Sequence, residues 1–258
     1  MRIGYFESYD TMPATAPMRR ALEIGRAALE KQGYELVKIE FSQEDITEAG
    51  HIYTGLVMSH IISPILNRIS DNYDDILPCY KYSVILLRSG FIVRNLFILL
   101  LRITGNARIA NAVQKCKKLD FEETSGFLKR QKDLQLKMVR LWQAWGIEAI
   151  LQPSYVSVAF KHANAADMGV FLDYLNFWSL LHYPAGVVPV GTVAPGEDTG
   201  YVDTFDDKWS RIIRRDIKGS VGMPISVTIV AQPYEDEVAI GVMERVDEEV
   251  GFCMSPKL

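Results

Sequence analysis

Apolar and polar residues recur along the chain in patterns that predict a mixture of strands and helices. Residues 2–6 alternate as in a strand, Pro17–Gln32 repeats apolar residues at helical spacing before Gly33, and Glu35–Phe41 has the pattern of a second strand. A helix that connects two neighbouring strands returns the chain in its original direction. These two strands are therefore expected to lie parallel in one sheet.

Further along the chain, the pattern predicts helices first and buried strands later. Residues 45–80 are expected to be mostly helical with breaks at Pro64 and Pro78, and a long amphipathic helix is expected over Glu122–Trp145, ending at Gly146. Short apolar runs bounded by Pro and Gly predict three buried strands, and a last helix follows them: Ile147–Leu151, Gly186–Val190, Ile225–Ala231 and Glu235–Val250.

The most hydrophobic stretch is the run of residues 84–103, which reads VILLRSGFIVRNLFILLLRI. Its length is close to the roughly 20 residues that cross a bilayer. However, Arg88 and Arg94 lie inside the run, and each Arg near a bilayer centre costs about 2.5–3.5 kcal/mol. A membrane-spanning helix is therefore disfavoured, and Gly90 is a point at which the run is expected to divide into two shorter helices.

The same run has the pattern of a helix lying in the membrane interface. On a helical wheel at about 100° per residue, its arginines fall on one side and much of its apolar surface on another. This pattern favours contact with a membrane over a buried core helix. The residues predicted to make that contact are both apolar and basic: Phe91, Ile92, Phe97, Ile98, Leu101, Arg88, Arg94 and Arg102.

Charge is unevenly distributed, and its distribution favours the same partner. The formal net charge is −4, yet residues 81–140 carry thirteen Lys and Arg against four Asp and Glu. An anionic lipid surface attracts such a segment by about 1 kcal/mol per basic residue near it. Nucleic acid is excluded as the expected partner, because the arginines alternate with aliphatic residues rather than with stacking aromatic ones.

Few residues are candidates for catalysis or metal binding. The three Cys and four His lack close ligand spacing, so no metal and no cofactor is expected. The chain has no G-x-S-x-G motif, and Ser220 is interpreted as a turn residue rather than a nucleophile. Acidic pairs such as Asp206 with Asp207 are interpreted as surface turns or helix starts, which favour carboxylates.

The amino terminus and the cysteines bear on the compartment. Met1 leads directly into a strand pattern with no basic and apolar leader, so no signal peptide is predicted. The widely spaced cysteines are interpreted as reduced. The expectation is an intracellular protein that is peripheral or monotopic on a membrane, and one that has lost a segment upstream of its first strand.

Several motifs, taken in order, resemble one family of enzymes. YPAGVVPVGTV (Tyr183–Val193) and KGSVGMPISVTIVAQPYEDE (Lys218–Glu237) resemble the paired strands that end amidase-signature enzymes. TMPATAPMRRALE (Thr11–Glu23), the apolar run and LWQAWGIEAILQP resemble the fatty-acid amide hydrolase branch. The resemblance identifies residues 1–258 as the carboxy-terminal part of one amidase domain, with residues 72–112 as a hydrophobic membrane-cap segment.

This resemblance implies an α/β fold, namely part of an α/β/α sandwich with a mixed sheet and a helical hydrophobic cap. It also implies hydrolysis of long-chain acyl amides by a Ser-Ser-Lys triad. No residue of this chain matches that triad, so no catalytic residue is assigned and the chain alone is expected to be inactive. By resemblance, Trp209 and Leu172 line the acyl-binding tunnel, while Ser179 departs from the Asn that is common in the family.

Three hypotheses remain open at this point. The chain is the acyl-binding and membrane-docking half of an amidase, a non-catalytic lipid-binding or membrane-associated remnant, or a partial gene product whose other half is encoded upstream. The expected partners are a long-chain acyl amide, a membrane surface and the missing amino-terminal half, and a homodimer is left open. Unpaired sheet edges also predict poor solubility for the isolated chain.

Overall fold

A computed structural model describes residues 1–71, 81–164 and 173–253 of the chain. The strands within these ranges are β1 Arg2–Tyr5, β2 Glu35–Lys38, β3 Ala149–Pro153, β4 Ala185–Thr192 and β5 Pro224–Ala231. The α-helices are α1 Ala16–Lys31, α2 Gln43–Val57, α3 Ser63–Asp71, α4 Lys81–Arg88, α5 Phe91–Ile103, α6 Ala107–Lys115, α7 Phe121–Trp145, α8 Asp173–Leu181, α9 Lys208–Asp216 and α10 Asp236–Val250.

The five strands form one mixed sheet in the order β2-β1-β3-β5-β4. β1 is parallel to both β2 and β3, which confirms the predicted crossover through α1. β5 runs antiparallel to both of its neighbours, β3 and β4. Most predicted elements form within a few residues of their expected bounds, and Gly146 ends α7 with the left-handed backbone that glycine adopts readily (φ 61°).

Helices cover both faces of this sheet. Leu151 on β3 and Val227 on β5 point towards Gly25 of α1. The next residue, Gln152, points to the opposite face because side chains alternate along a strand. There its amide nitrogen donates to the Tyr174 carbonyl at 2.9 Å, and its oxygen accepts from Trp178 Nε1 at 2.7 Å, so this buried amide is satisfied by α8.

The α8 side of the sheet is packed mainly by aromatic rings. Phe41, Phe177 and Trp178 meet edge to face, with ring centroids 4.9–5.8 Å apart. Trp142 of α7 packs against Trp178 at 6.2 Å. Rings in these arrangements contribute about 0.5–1.5 kcal/mol per pair beyond the area they bury. This layer fixes α7 and α8 against the sheet.

We call helices α4, α5 and α6 the cap; α6 also packs against α2 and, through Ile109 and Ala112, against the main core. The cap has its own small core of buried residues, which comprises Leu86, Ile98, Ala110, Val113 and Cys116. Gly90 precedes the first residue of α5, so the apolar run is divided into two helices there, as expected. No helix in the described ranges has both the length and the apolar character needed to cross a bilayer.

One predicted helix break is wrong. The chain stays helical through Pro64, the second residue of α3, because a π-helical turn over Met58–Ile62 precedes it. Proline lacks an N–H and is tolerated in the first turn of a helix, and the wider π turn accommodates its ring. Pro78, the second predicted break, lies outside the described residues.

The start of α7 provides a direct test of this fold. Asp120 accepts from the Glu123 backbone N–H at 2.8 Å, and the Glu123 side chain reaches back to the Asp120 N–H, which together form a capping box. Asp120→Ala is expected to lower the free energy of unfolding by about 1 kcal/mol. Urea unfolding measures this, and Asp133→Ala on the exposed side of α7 is the control. Equal effects of the two substitutions would contradict the cap.

Candidate functional site

Arg108, near the start of α6, connects the cap to the rest of the chain. Its Nε and Nη2 donate to the two carboxylate oxygens of Asp207, each at 2.7 Å, in a bidentate pair. Nη2 also donates to Ser210 Oγ at 2.9 Å and to Asp203 at 3.3 Å, and Nη1 donates to the Thr11 carbonyl at 2.9 Å. One guanidinium therefore joins α6, the loop after β1 and the start of α9.

The two carboxylates of this network are buried and remain charged. The Asp207 side chain is 1% exposed and that of Asp203 is fully buried. Burial opposes their ionisation, but hydrogen bonds from Arg108 and Ser210 outweigh it and lower the pKa of Asp207. The Ser210 hydroxyl, two backbone N–H groups and the Arg108 charge likewise lower the pKa of Asp203. Tyr201, which donates to Asp203 at 3.3 Å, has a pKa raised by burial and by that carboxylate.

Trp209, the predicted acyl-tunnel residue, lies directly beside this network. Its ring centroid is 5.6 Å from the Arg108 guanidinium carbon, and that carbon also lies 4.0 Å from the centroid of Phe205. Trp209 is 6% exposed, so its ring packs inside the chain next to the cap. The role of Trp209 in acyl binding stays a prediction. Leu172, the other predicted tunnel residue, lies outside the described residues.

The α5 helix presents a broad apolar face to the outside. At about 100° per residue, this face covers an arc of about 120°. Its members are 53–80% exposed, and they are Ile92, Val93, Leu96, Leu99, Leu100 and Ile103. We call these six residues the α5 apolar face. Soluble chains seldom leave so many large apolar side chains exposed side by side, and such patches mark surfaces for another molecule or a membrane.

The predicted membrane-contact residues divide between this face and the interior of the cap. Of the predicted set, Ile92 belongs to the α5 apolar face, whereas Phe91, at 70% exposed, and Phe97, at 40%, lie beside it. Arg88 and Arg102 are exposed. Ile98 must be corrected, because it is buried in the small core of the cap, whereas Leu101 is partly buried against that core and its membrane contact stays a prediction. Arg94 is half-buried on the same inward side.

The serines do not form a catalytic arrangement within the described residues. Ser154 Oγ and Ser226 Oγ share a hydrogen bond of 2.7 Å at the β3–β5 pair, but in the described ranges neither hydroxyl bonds to a Lys or His side chain. Ser220 lies in a turn, where its N–H donates to the Ile217 carbonyl at 3.1 Å. This position at a turn is the one expected from the sequence. Within those same ranges, no group of three His, Cys, Asp or Glu could hold a metal ion.

The sequence did not reveal the Arg108 network. The pair Asp206–Asp207 was expected to lie on a surface turn or at a helix start, and Asp207 does cap the start of α9, but its side chain is buried rather than exposed. Arg108 and Asp207 are separated by about a hundred positions, so no local pattern connects them. The sequence carries only a weak signal for this network. Asp207 lies three residues before Ser210, which predicts a helix start but does not predict that Arg108 is its partner.

Comparisons with known proteins agree on one family. The profile of the amidase family matches residues 1–239. The chain is 27% identical over 255 residues to pig fatty-acid amide hydrolase 1 and 23% identical over 249 residues to the Caenorhabditis elegans fatty acid amide hydrolase 1. In both cases the match covers 96% of this chain but 42% of the relative.

Solved structures show the same fold. A fatty acid amide hydrolase superposes with a TM-score of 0.72 at 15% identity and covers 98% of this chain and 40% of its own. A 6-aminohexanoate cyclic dimer hydrolase superposes with a TM-score of 0.58 at 11% identity, with coverages of 98% and 45%. These likenesses show an α/β fold of the amidase type and place this chain on less than half the length of those enzymes.

The Arg108 network predicts a large and pH-dependent contribution to stability. Arg108→Ala leaves two buried carboxylates without their cation, and removal of one partner of a buried pair costs about 3–5 kcal/mol. Because the pKa values of Asp203 and Asp207 are lowered by folding, the wild-type contribution is present above the ordinary carboxylate pKa and is lost as the pH falls through the lowered values.

Urea unfolding at neutral and acidic pH measures this effect. The control is Arg211→Ala, which removes an exposed arginine from α9, the helix that Asp207 caps. We expect a large loss for Arg108→Ala at neutral pH, a smaller difference from wild type in acid, and little change for the control. A loss for Arg108→Ala no larger than that of the control would contradict the network.

Proposed function

The chain belongs to the amidase family, and from this premise we propose that it is the acyl-binding and membrane-docking part of an amidase that resembles the fatty-acid amide hydrolases. The reaction proposed for the complete enzyme is hydrolysis of the amide bond of a long-chain acyl amide. The observation that carries the proposal is the α5 apolar face, which lies on a cap joined through Arg108 to Trp209.

The nucleophile is proposed to come from residues outside this chain. Two features support this. No segment of the sequence matches a Ser-Ser-Lys triad, and the Ser154–Ser226 pair, which is bonded only to itself within the described residues, has no base that could activate it. The chain also spans about two fifths of the length of the curated relatives it matches.

Membrane docking is proposed to use the α5 apolar face together with the basic residues that border it. Each fully buried Leu or Ile side chain contributes about 1.5–3 kcal/mol on leaving water. Exposed Arg88 and Arg102 lie on the same unit and suit an anionic headgroup layer. The arrangement is that of an amphipathic helix lying in the plane of the membrane.

The acyl-binding role is proposed for Trp209 and for Leu172. Support for Trp209 is its position beside the cap, where a chain entering from the lipid would meet the buried ring. Arg108 fixes the relative position of α6 and α9, so it holds the cap next to this ring. An aromatic ring gives an acyl chain a large apolar contact at little conformational cost.

Turnover by the purified chain tests the catalytic part of the proposal. We expect the 258-residue chain to show no hydrolysis of a long-chain primary amide and no labelling by a serine-directed fluorophosphonate. Ser154→Ala and Ser220→Ala variants would identify the source of any activity that does occur. Fluorophosphonate-sensitive turnover that one of these substitutions abolishes would show that the nucleophile lies in this chain.

Vesicle flotation tests the docking part. Leu96→Asp with Ile103→Asp places two charges on the α5 apolar face, and an aspartate in an apolar layer costs about 2.5–3.5 kcal/mol. We expect binding to phosphatidylcholine vesicles to fall by at least roughly 30-fold. The control is Ile240→Asp on α10, an exposed apolar residue of a helix that packs against the sheet. Equal loss in both variants would contradict a docking face on α5.

A further inference from the structure

A cavity opens between α5, α6 and the start of α7. Its volume is about 360 Å³, which falls within the roughly 300–1,000 Å³ of small-molecule pockets. Three cationic side chains line it, Arg94, Lys115 and Lys117. One comes from α5, one from the last residue of α6 and one from the link to α7, so the cavity is formed only when the cap is folded against α7.

Apolar side chains connect this cavity to the α5 apolar face. Phe91, Ile98 and Phe127 also line it. Phe91 is 70% exposed and is the first residue of α5, directly before Ile92 of the apolar face. Ile98 belongs to the buried core of the cap. The cationic cavity and the apolar face therefore lie on two sides of one helix.

The cavity is lined by more cationic than anionic side chains. Lys117 pairs with Glu123, which also lines the cavity. Within the described residues, neither Arg94 nor Lys115 has a carboxylate at ion-pair distance. The positive charge of Arg94 acts on the buried Cys116, whose thiol pKa burial raises to about 12 while Arg94 opposes the rise. The charge of Arg94 therefore lies near the interior of the cap and not only in solvent.

Lys115 has acidic and basic neighbours on α2. Glu48 and His51 both lie close enough to feel its charge. The carboxylate of Glu48, however, is taken up by Arg130, which donates to both of its oxygens through Nε and Nη2. The neighbouring carboxylate is thus already paired, and Lys115 keeps a net positive charge at the edge of the cavity.

We propose that this cavity binds the phosphate of an anionic phospholipid headgroup while the α5 apolar face contacts the acyl chains of the same leaflet. This inference rests on the proposed membrane docking and assigns it a specific subsite. Arginine and lysine are the side chains that bind phosphate oxygens through charge-assisted hydrogen bonds. A headgroup phosphate lies at the depth where an interfacial helix meets water, so both surfaces of α5 could be engaged together.

Flotation with vesicles of two compositions tests the subsite. The first is phosphatidylcholine alone, and the second is phosphatidylcholine with one fifth phosphatidic acid. Arg94→Gln with Lys115→Gln is expected to lower binding to the anionic vesicles by at least about tenfold and to leave binding to neutral vesicles unchanged. The control is Lys129→Gln with Lys132→Gln, which removes the same charge from exposed positions of α7 outside the cavity and is expected to lower anionic binding much less.

Each outcome decides a different question. Equal losses for the two charge-matched pairs would overturn the subsite, because they would show that only diffuse charge matters. Weak wild-type binding to both vesicle types would instead contradict the proposed docking itself. If the double variant does not fold, the single variant Lys115→Gln, at a half-buried position, replaces it in the assay. If that variant keeps the wild-type preference for anionic over neutral vesicles, the proposal is overturned.

A competition arm distinguishes the lipid from the free anion. Millimolar inorganic phosphate is added to wild-type chain bound to the anionic vesicles. If the cavity holds a headgroup that is anchored beside the apolar face, free phosphate lacks the acyl contacts and should displace little protein. If free phosphate instead releases all of the wild-type protein from the vesicles but does not release the Arg94→Gln, Lys115→Gln variant, the cavity is a free-phosphate site. That result would contradict the lipid assignment.

Discussion

The buried ion pair between Arg108 and Asp207 is the constraint on which the arrangement of this chain depends. It is bidentate, it is screened from water, and it lies where three separate parts of the chain meet. A guanidinium without its carboxylates would destabilise the fold at such a position, because an unpaired buried charge loses its hydration and gains no ionic partner. The pair therefore fixes α6 against α9 and the loop after β1 in one relative position.

The consequences of this constraint reach both surfaces that are proposed to be functional. The cap has a small core of its own, built around Ile98 and Ala110, and it also packs against the main core through Ile109 and Ala112 of α6. Arg108 adds a buried ionic contact and stacks over Phe205 beside Trp209. The face proposed to meet lipid and the ring proposed to meet an acyl chain thus lie on parts of the chain that Arg108 joins.

Much of the fold could be predicted from the sequence, because it depends on local periodicity. The alternation in residues 2–6, the apolar repeat before Gly33 and the Pro- and Gly-bounded runs each produce the element they predict. The division of the apolar run at Gly90 follows from the same reasoning. Which side of α5 faces inward could not be predicted. Ile98 faces inward because α6 packs against it, and a helical wheel does not show where a neighbouring helix will pack.

The site was harder to predict than the fold for a related reason. Arg108 was one basic residue among many in a basic segment, and Asp207 was expected only at a surface turn or a helix start, because the contact between them is made only by the tertiary fold. The π-helical turn before Pro64 was missed on similar grounds, since a proline alone predicts a break and not its accommodation. Trp209 was proposed by family resemblance alone, and its burial is equally that of a core residue, so its role in acyl binding stays a prediction.

The depth of α5 in a membrane tests the central claim most directly. A nitroxide label at Leu96→Cys, in a chain with Cys79, Cys116 and Cys253 replaced, reports its relative exposure to oxygen and to a water-soluble nickel complex by electron paramagnetic resonance. On phosphatidylcholine vesicles we predict high oxygen and low nickel accessibility at position 96, and the reverse at an Ile240→Cys reference on α10. A label at position 96 that remains as accessible to nickel as the reference would contradict the account.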